Sequence, residues 1–188
     1  MSDSIIALNK TLDSLDSLRN QSKQLEKVRE MYKDVCFILD YSSSMYGRLS
    51  DGKSATEHLE DMVNKLKIPH KDCVSFSDVV KVGVGIDDMH RGGTPLDEAL
   101  DYIFTHKNIY KSFVLISDGQ PDSSKRAIES AKRLGKPISV VYTGNKDSHG
   151  EQFMETLALE TKGTSVTVSE GTADLLSQTV VNLLIEKN

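Results

Sequence analysis

A chain of 188 residues with 38% hydrophobic side chains has the length of one domain, or one domain plus an extension, and can fill a core without disulfide or metal staples. Its formal net charge of -5, with Lys and Arg scattered, argues against non-specific nucleic-acid binding as the main task. No apolar run approaches the roughly 18 residues of a membrane span, and no CxxC or Cys/His cluster at zinc spacing is present.

The first residues, Met1-Ser2-Asp3-Ser4, have neither the basic start nor the apolar centre of a signal peptide. The two cysteines, Cys36 and Cys73, each sit in an apolar run, as buried thiols of a reducing compartment do. Both features set the expectation of a cytoplasmic protein. Residues 4–32 contain no Pro or Gly, and Ile5, Leu8, Leu12 and Leu15 form one apolar stripe. Leu18, Leu25 and Tyr32 form a second, with Val28 beside it. Residues 1–32 therefore read as an amphipathic helical extension that packs on the following domain or on a second copy of the chain. Arg19 and Ser22 interrupt the heptad seam, which disfavours a long coiled coil.

Residues 33–188 read as one α/β domain. Val35-Cys36-Phe37-Ile38-Leu39, ending at Asp40, is the continuous apolar run of a strand covered on both faces. A Ser/Gly-rich loop follows, then a helix with Ala55, Leu59, Met62, Val63 and Leu66 on one face and Pro69 beyond its end. Residues 73–76 and 79–84 read as two strands joined by a tight turn at Ser77-Asp78. A helix is expected from Thr94-Pro95, with Pro95 at its first position and Leu96, Ala99, Leu100, Ile103 and Phe104 inward. Then come a strand over 112–116, a helix over 123–134, a strand over 138–142, a helix over 153–160, a strand over 164–168 and a helix over 173–185. This alternation predicts a doubly wound, mostly parallel open sheet, and the hairpin-like segment 73–84 predicts one antiparallel edge strand. Ligands of such sheets bind outside the carboxyl ends of the strands.

Small oxygen-bearing residues gather at those ends. Strand one runs into Asp40-Tyr41-Ser42-Ser43-Ser44, Gly92-Gly93-Thr94 precedes a helix, and the strand over 112–116 runs into Ser117-Asp118-Gly119. An extended or gently turning backbone would point the Ser42 and Ser44 hydroxyls the same way. Two carboxylates and three hydroxyls, with no thiolate or imidazole, suit a hard cation: Mg²⁺ best, Mn²⁺ also, Ca²⁺ less well. The competing reading makes each Ser or Thr a helix cap and each Asp a turn former. Three strand ends with suitable ligands favour the metal.

These residues resemble the von Willebrand factor type A domain family, whose metal-ion-dependent adhesion site combines Asp-x-Ser-x-Ser, a Thr and an Asp on three loops. Asp40-Tyr41-Ser42-Ser43-Ser44 matches the first part, Gly93-Thr94-Pro95-Leu96 the second and Ile116-Ser117-Asp118-Gly119 the third, and the resemblance spans about residues 34–185. Phe76-Ser77-Asp78 also fits the family. Ser43 stands where many intracellular members have Gly, and the loop over 46–53 is individual; neither difference removes a ligand. The resemblance implies a metal site at Asp40, Ser42, Ser44, Thr94 and Asp118. Ser42, Ser44 and Thr94 would touch the ion directly, with Asp40 and Asp118 acting mainly through bound water. It further implies an intracellular protein-binding module that takes a partner's Asp or Glu at the ion.

Two other readings stand beside it. Against a metal-dependent hydrolase or phosphatase, no P-loop is present, and Ser42 or Ser44 as a nucleophile would need an activating base that is not evident. His58, His70, His90, His106 and His149 are expected in polar loops or on helix surfaces, with His90 nearest the site. The protein is thus read as no enzyme; phosphoester turnover abolished at Asp40 would reverse that. A structural assembly subunit with a vestigial metal site is separated from the first reading by metal binding itself. The rim of the site is expected to include Tyr46, Arg48, His90 and Arg91.

Overall fold

In a computed structural model, residues 26, 29–30, 32–87, 90, 92–107, 109–168 and 171–185 are described. The expected extension over 1–32 lies almost wholly outside them. Tyr32 is described and belongs to the domain core: it is 3% exposed and its hydroxyl donates to the Leu66 carbonyl at 2.6 Å.

The strands are β1 (Val35–Asp40), β2 (Cys73–Phe76), β3 (Val80–Val82), β4 (Ser112–Ser117), β5 (Ile138–Tyr142) and β6 (Ser165–Thr167). The helices are α1 (Ala55–Leu66), α2 (Leu96–His106), α3 (Ser124–Leu134), α4 (His149–Glu160) and α5 (Ala173–Ile185). The strands form one sheet in the order β3-β2-β1-β4-β5-β6, parallel throughout except for the antiparallel pair β2–β3 at one edge. That is the mostly parallel, doubly wound architecture expected from the sequence.

Alternating side chains of the central strands feed two cores. Phe37, Leu39, Val114 and Ile116 pack with Leu59, Met62 and Val63 of α1 and with Leu176, Val180 and Leu183 of α5. Cys36, Ile38, Phe113 and Leu115 pack with α2, α3 and α4 through Leu100, Ala127, Ala131 and Leu157, among others. Cys36 and Cys73 are free, buried thiols in opposite cores, so they cannot pair with each other. Burial pushes both pKa values up to about 12, which leaves them unreactive as thiols.

The differences from expectation lie at element ends and in two side chains. Phe104, expected inward on α2, is 38% exposed, with the Arg133 guanidinium over its ring. β3 is shorter than 79–84, because Gly83 and Gly85 turn the chain with φ of 116° and 86°. α4 starts at His149 rather than 153: Ser148 caps it by accepting from the Glu151 amide. Pro95 occupies the N-cap of α2, one place before the expected position. His58 is not on a helix surface as expected. It is 3% exposed, its Nε2 lies 3.1 Å from Asp51 and its Nδ1 accepts from the Ala173 amide. The α1 face that carries it is covered by the start of α5. Among the described residues no helix is long and apolar enough to cross a membrane.

Candidate functional site

The first loop is shaped by what it buries. Tyr41 extends the ladder beyond β1, its amide donating to the Phe76 carbonyl at 2.8 Å, and its side chain is buried. Met45 is also fully buried, in the 3-10 turn Ser43–Tyr46. The segment is therefore a tight turn, sharper than the extended or gently turning backbone expected. The turn still brings the hydroxyls of Ser42 and Ser44 to 3.1 Å of each other.

Asp40 is fully buried beneath them. Its Oδ1 accepts from the Ser42 amide at 2.7 Å and its Oδ2 from the Ser117 hydroxyl at 2.6 Å. Burial raises its pKa from 3.8 to about 6; hydrogen bonds from Ser117 and Ser42 oppose the rise, and the Asp118 charge adds to it. The Ser44 hydroxyl donates to Asp118 Oδ1 at 2.7 Å. Burial raises the Asp118 pKa as well, against that hydrogen bond. Ser117, Asp40, Ser42, Ser44 and Asp118 thus form one connected chain of polar groups across the ends of β1 and β4.

Thr94 joins this chain through the backbone. The Gly92 carbonyl accepts from the Ser43 amide at 3.1 Å, which ties the second loop to the first. The Thr94 amide donates to Asp122 Oδ1, and the Asp122 amide donates to the Thr94 carbonyl, each at 3.1 Å. Thr94 is 8% exposed and precedes the N-cap of α2. Ser42 stands at the N-cap of the 3-10 turn but makes no capping hydrogen bond. The capping alternative therefore fails for both residues. All five expected residues lie on the three loops that this network connects.

Ser117 and Asp122 were not among the expected site residues. Ser117 carries a local signal, as a polar residue ending an apolar strand next to Asp118. Asp122 has the look of an ordinary residue before a helix, and only the fold brings it to Thr94. On one side Ser44 and Asp118 border a cleft of about 710 Å³, also lined by Thr143, Gly144, Lys146 and His149. Of the expected rim, Tyr46 packs partly against the core and Arg48 donates to the Gly52 carbonyl at 3.2 Å; His90 is half-buried, and Arg91 lies outside the described residues. Among the described residues, no three His, Cys, Asp or Glu side chains gather as a metal cluster. The candidate set has two carboxylates, so its donor character rests on hydroxyls.

A sheet of six described strands covered on both faces, with polar loops clustered at the carboxyl ends of β1 and β4, defines a doubly wound α/β domain. Residues 68–167 match the family described as von Willebrand factor type A domain, and the chain belongs to that family. No curated protein matches the sequence. Among solved structures, manganese-loaded TRAP protein of Plasmodium vivax is similar at TM-score 0.56 and 19% identity, over 80% of this chain and 71% of that one. A von Willebrand factor type A protein from Catenulispora acidiphila gives TM-score 0.57 and 13% identity, over 80% of this chain and 41% of that one. The PilB minor pilin of Streptococcus sanguinis gives 0.56 and 15%, over 81% and 60%. At these identities the likeness is one of fold.

Proposed function

We infer that the protein is a Mg²⁺-dependent protein-binding module, with Mn²⁺ as an alternative ion, that engages an acidic residue of a protein partner. The observation that carries this reading is the connected set of Asp40, Ser42, Ser44 and Asp118 side chains, with Thr94 held beside it by backbone hydrogen bonds. The donor set fits the ion: every donor is oxygen, as hard cations prefer. Burial disfavours the charged forms of both carboxylates, and a divalent cation would offset that cost. Ser42, Ser44 and Thr94 would supply neutral oxygens, while Asp40 and Asp118 would act mainly through bound water and by fixing the loops. A bound ion would supply an electrophilic position for a partner's Asp or Glu. The manganese-loaded relative supports the class of ion. A cytoplasmic setting belongs to the same reading and accords with two free buried thiols.

The test is affinity capture from the native lysate in Mg²⁺ and in EDTA, beside a Thr94→Ala variant. The expected result is a partner retained only by the unaltered protein in Mg²⁺. A partner held equally in all three arms would exclude the metal-mediated mechanism.

A further inference from the structure

The backbone of the second loop is held on both sides by carboxylates that the candidate ligand set does not include. On one side the Gly92 amide donates to the Ser77 hydroxyl at 2.9 Å and the Gly93 amide to Asp78 Oδ1 at 2.7 Å. On the other side Asp122 accepts from the Thr94 amide and donates its own amide to the Thr94 carbonyl. The carboxylates come close to the loop. A Cβ on Gly92 would lie 1.9 Å from Asp78 Oδ2, and one on Gly93 2.7 Å from Asp122 Oδ2. In these rotamers the carboxylates occupy the space that a side chain at Gly92 or Gly93 would need.

We propose that Asp122 is a positioning residue that fixes Thr94 for the ion through the hydrogen bond to the Thr94 amide, with Asp78 steadying Gly93 from the opposite side. Asp122 lies four residues beyond Asp118 on the loop after β4, so the contact locks two candidate ligands, Thr94 and Asp118, into one geometry. A two-point backbone clamp sets the loop before any ion arrives, which removes part of the ordering cost of binding. Asp122 acts through its acceptor oxygen, not through its charge. The consequence for the ion rests on the metal reading above; the clamp itself does not.

The experiment uses the full chain with Asp122→Ala and Asp122→Asn, and has two arms. In metal-free protein, hydrogen exchange of the Thr94 amide is followed by NMR. Asp122→Ala is expected to speed it at least tenfold, while Asp122→Asn, whose amide oxygen still accepts, keeps it within about threefold. In the second arm Mn²⁺ affinity is measured by calorimetry, with an expected loss of about tenfold for Asp122→Ala and a small change for Asp122→Asn. The melting temperature of both variants in EDTA is measured beside these arms, so that loss of the fold is told apart from loss of the clamp. Unchanged Thr94 exchange in Asp122→Ala overturns the clamp. An Asp122→Asn variant as weak in Mn²⁺ as Asp122→Ala overturns the acceptor role and assigns the effect to charge. If the unaltered protein binds no Mn²⁺, the metal reading fails and the exchange arm alone decides the clamp.

Discussion

At Asp40 burial and charge are opposed. A carboxyl whose pKa rises from 3.8 to about 6 on folding binds its proton more tightly in the native state. Between those values the native protein holds more protons than the unfolded chain, so this residue makes stability fall as pH rises from about 4 to about 6. Above that range its cost is constant, on the order of 3 kcal/mol. Asp40→Asn keeps an acceptor for the Ser42 amide and removes the charge. In EDTA the variant is expected to match the unaltered protein near pH 4 and to exceed it by about 1–3 kcal/mol at pH 7.5. It is also expected to lose metal binding. Thermal melts of both proteins at the two pH values are the check; parallel pH profiles would show that burial does not penalise this charge. Comparing the pair cancels the carboxyls whose pKa falls on folding, such as Asp51 and Glu57, which act with the opposite sign.

Among the elements, α1 has a start held by two side chains. Ser54 accepts from the Glu57 amide at 3.2 Å while Glu57 accepts from the Ser54 amide at 2.7 Å, a reciprocal capping box. Ser54→Ala is expected to cost about 1 kcal/mol in chemical denaturation, with metal affinity unchanged. An unaltered midpoint would mean that α1 is held by packing alone. This cap is legible as Ser54-Ala55-Thr56-Glu57, and Ser148-His149-Gly150-Glu151 writes a similar signal before α4. Apolar periodicity nevertheless begins only at Phe153, so the sequence pattern points to a later start for α4. The strands were legible because β1, β4 and β5 are short runs of apolar residues covered on both faces. The candidate ligands were legible because each lies at a strand end or helix start, in text that is local to one loop. The contacts that assemble them were not. Ser117 and Asp40 are 77 residues apart, and Thr94 and Asp122 are 28 apart, so only the order of strands in the sheet brings them together. His58 was misplaced for the same reason: its partner, the Ala173 amide, is 115 residues away.

For the whole molecule, two properties follow from a site assembled across a sheet. The first concerns its lower end, where Tyr32 packs against Phe37 with ring centroids 6.2 Å apart. A chain beginning at Arg29 keeps this contact and one beginning at Lys33 loses it. Denaturant melts are expected to separate the two by about 3 kcal/mol, the scale of an aromatic side chain lost from a core. Equal midpoints would remove Tyr32 from the list of stabilising residues and leave the domain boundary at Lys33. The second concerns the ion. The loops after β1 and β4 and the loop before α2 converge only in the native sheet, so an unfolded chain offers no comparable set of oxygens. An ion that binds only the native state at one hundred times its dissociation constant stabilises by about 2.7 kcal/mol. For a chain of this size that raises the melting temperature by roughly 5–10 °C. The rise is expected with Mg²⁺ and Mn²⁺ and is expected to reverse with EDTA. Thr94→Ala should lose most of it while its metal-free melting temperature stays close to that of the unaltered protein, because that variant keeps the backbone bonds to Asp122. Scanning calorimetry over a series of metal concentrations measures this directly. A melting temperature that stays flat up to millimolar metal would remove the ion from the protein's mechanism and move the search for a partner surface to the cleft beside Lys146 and His149.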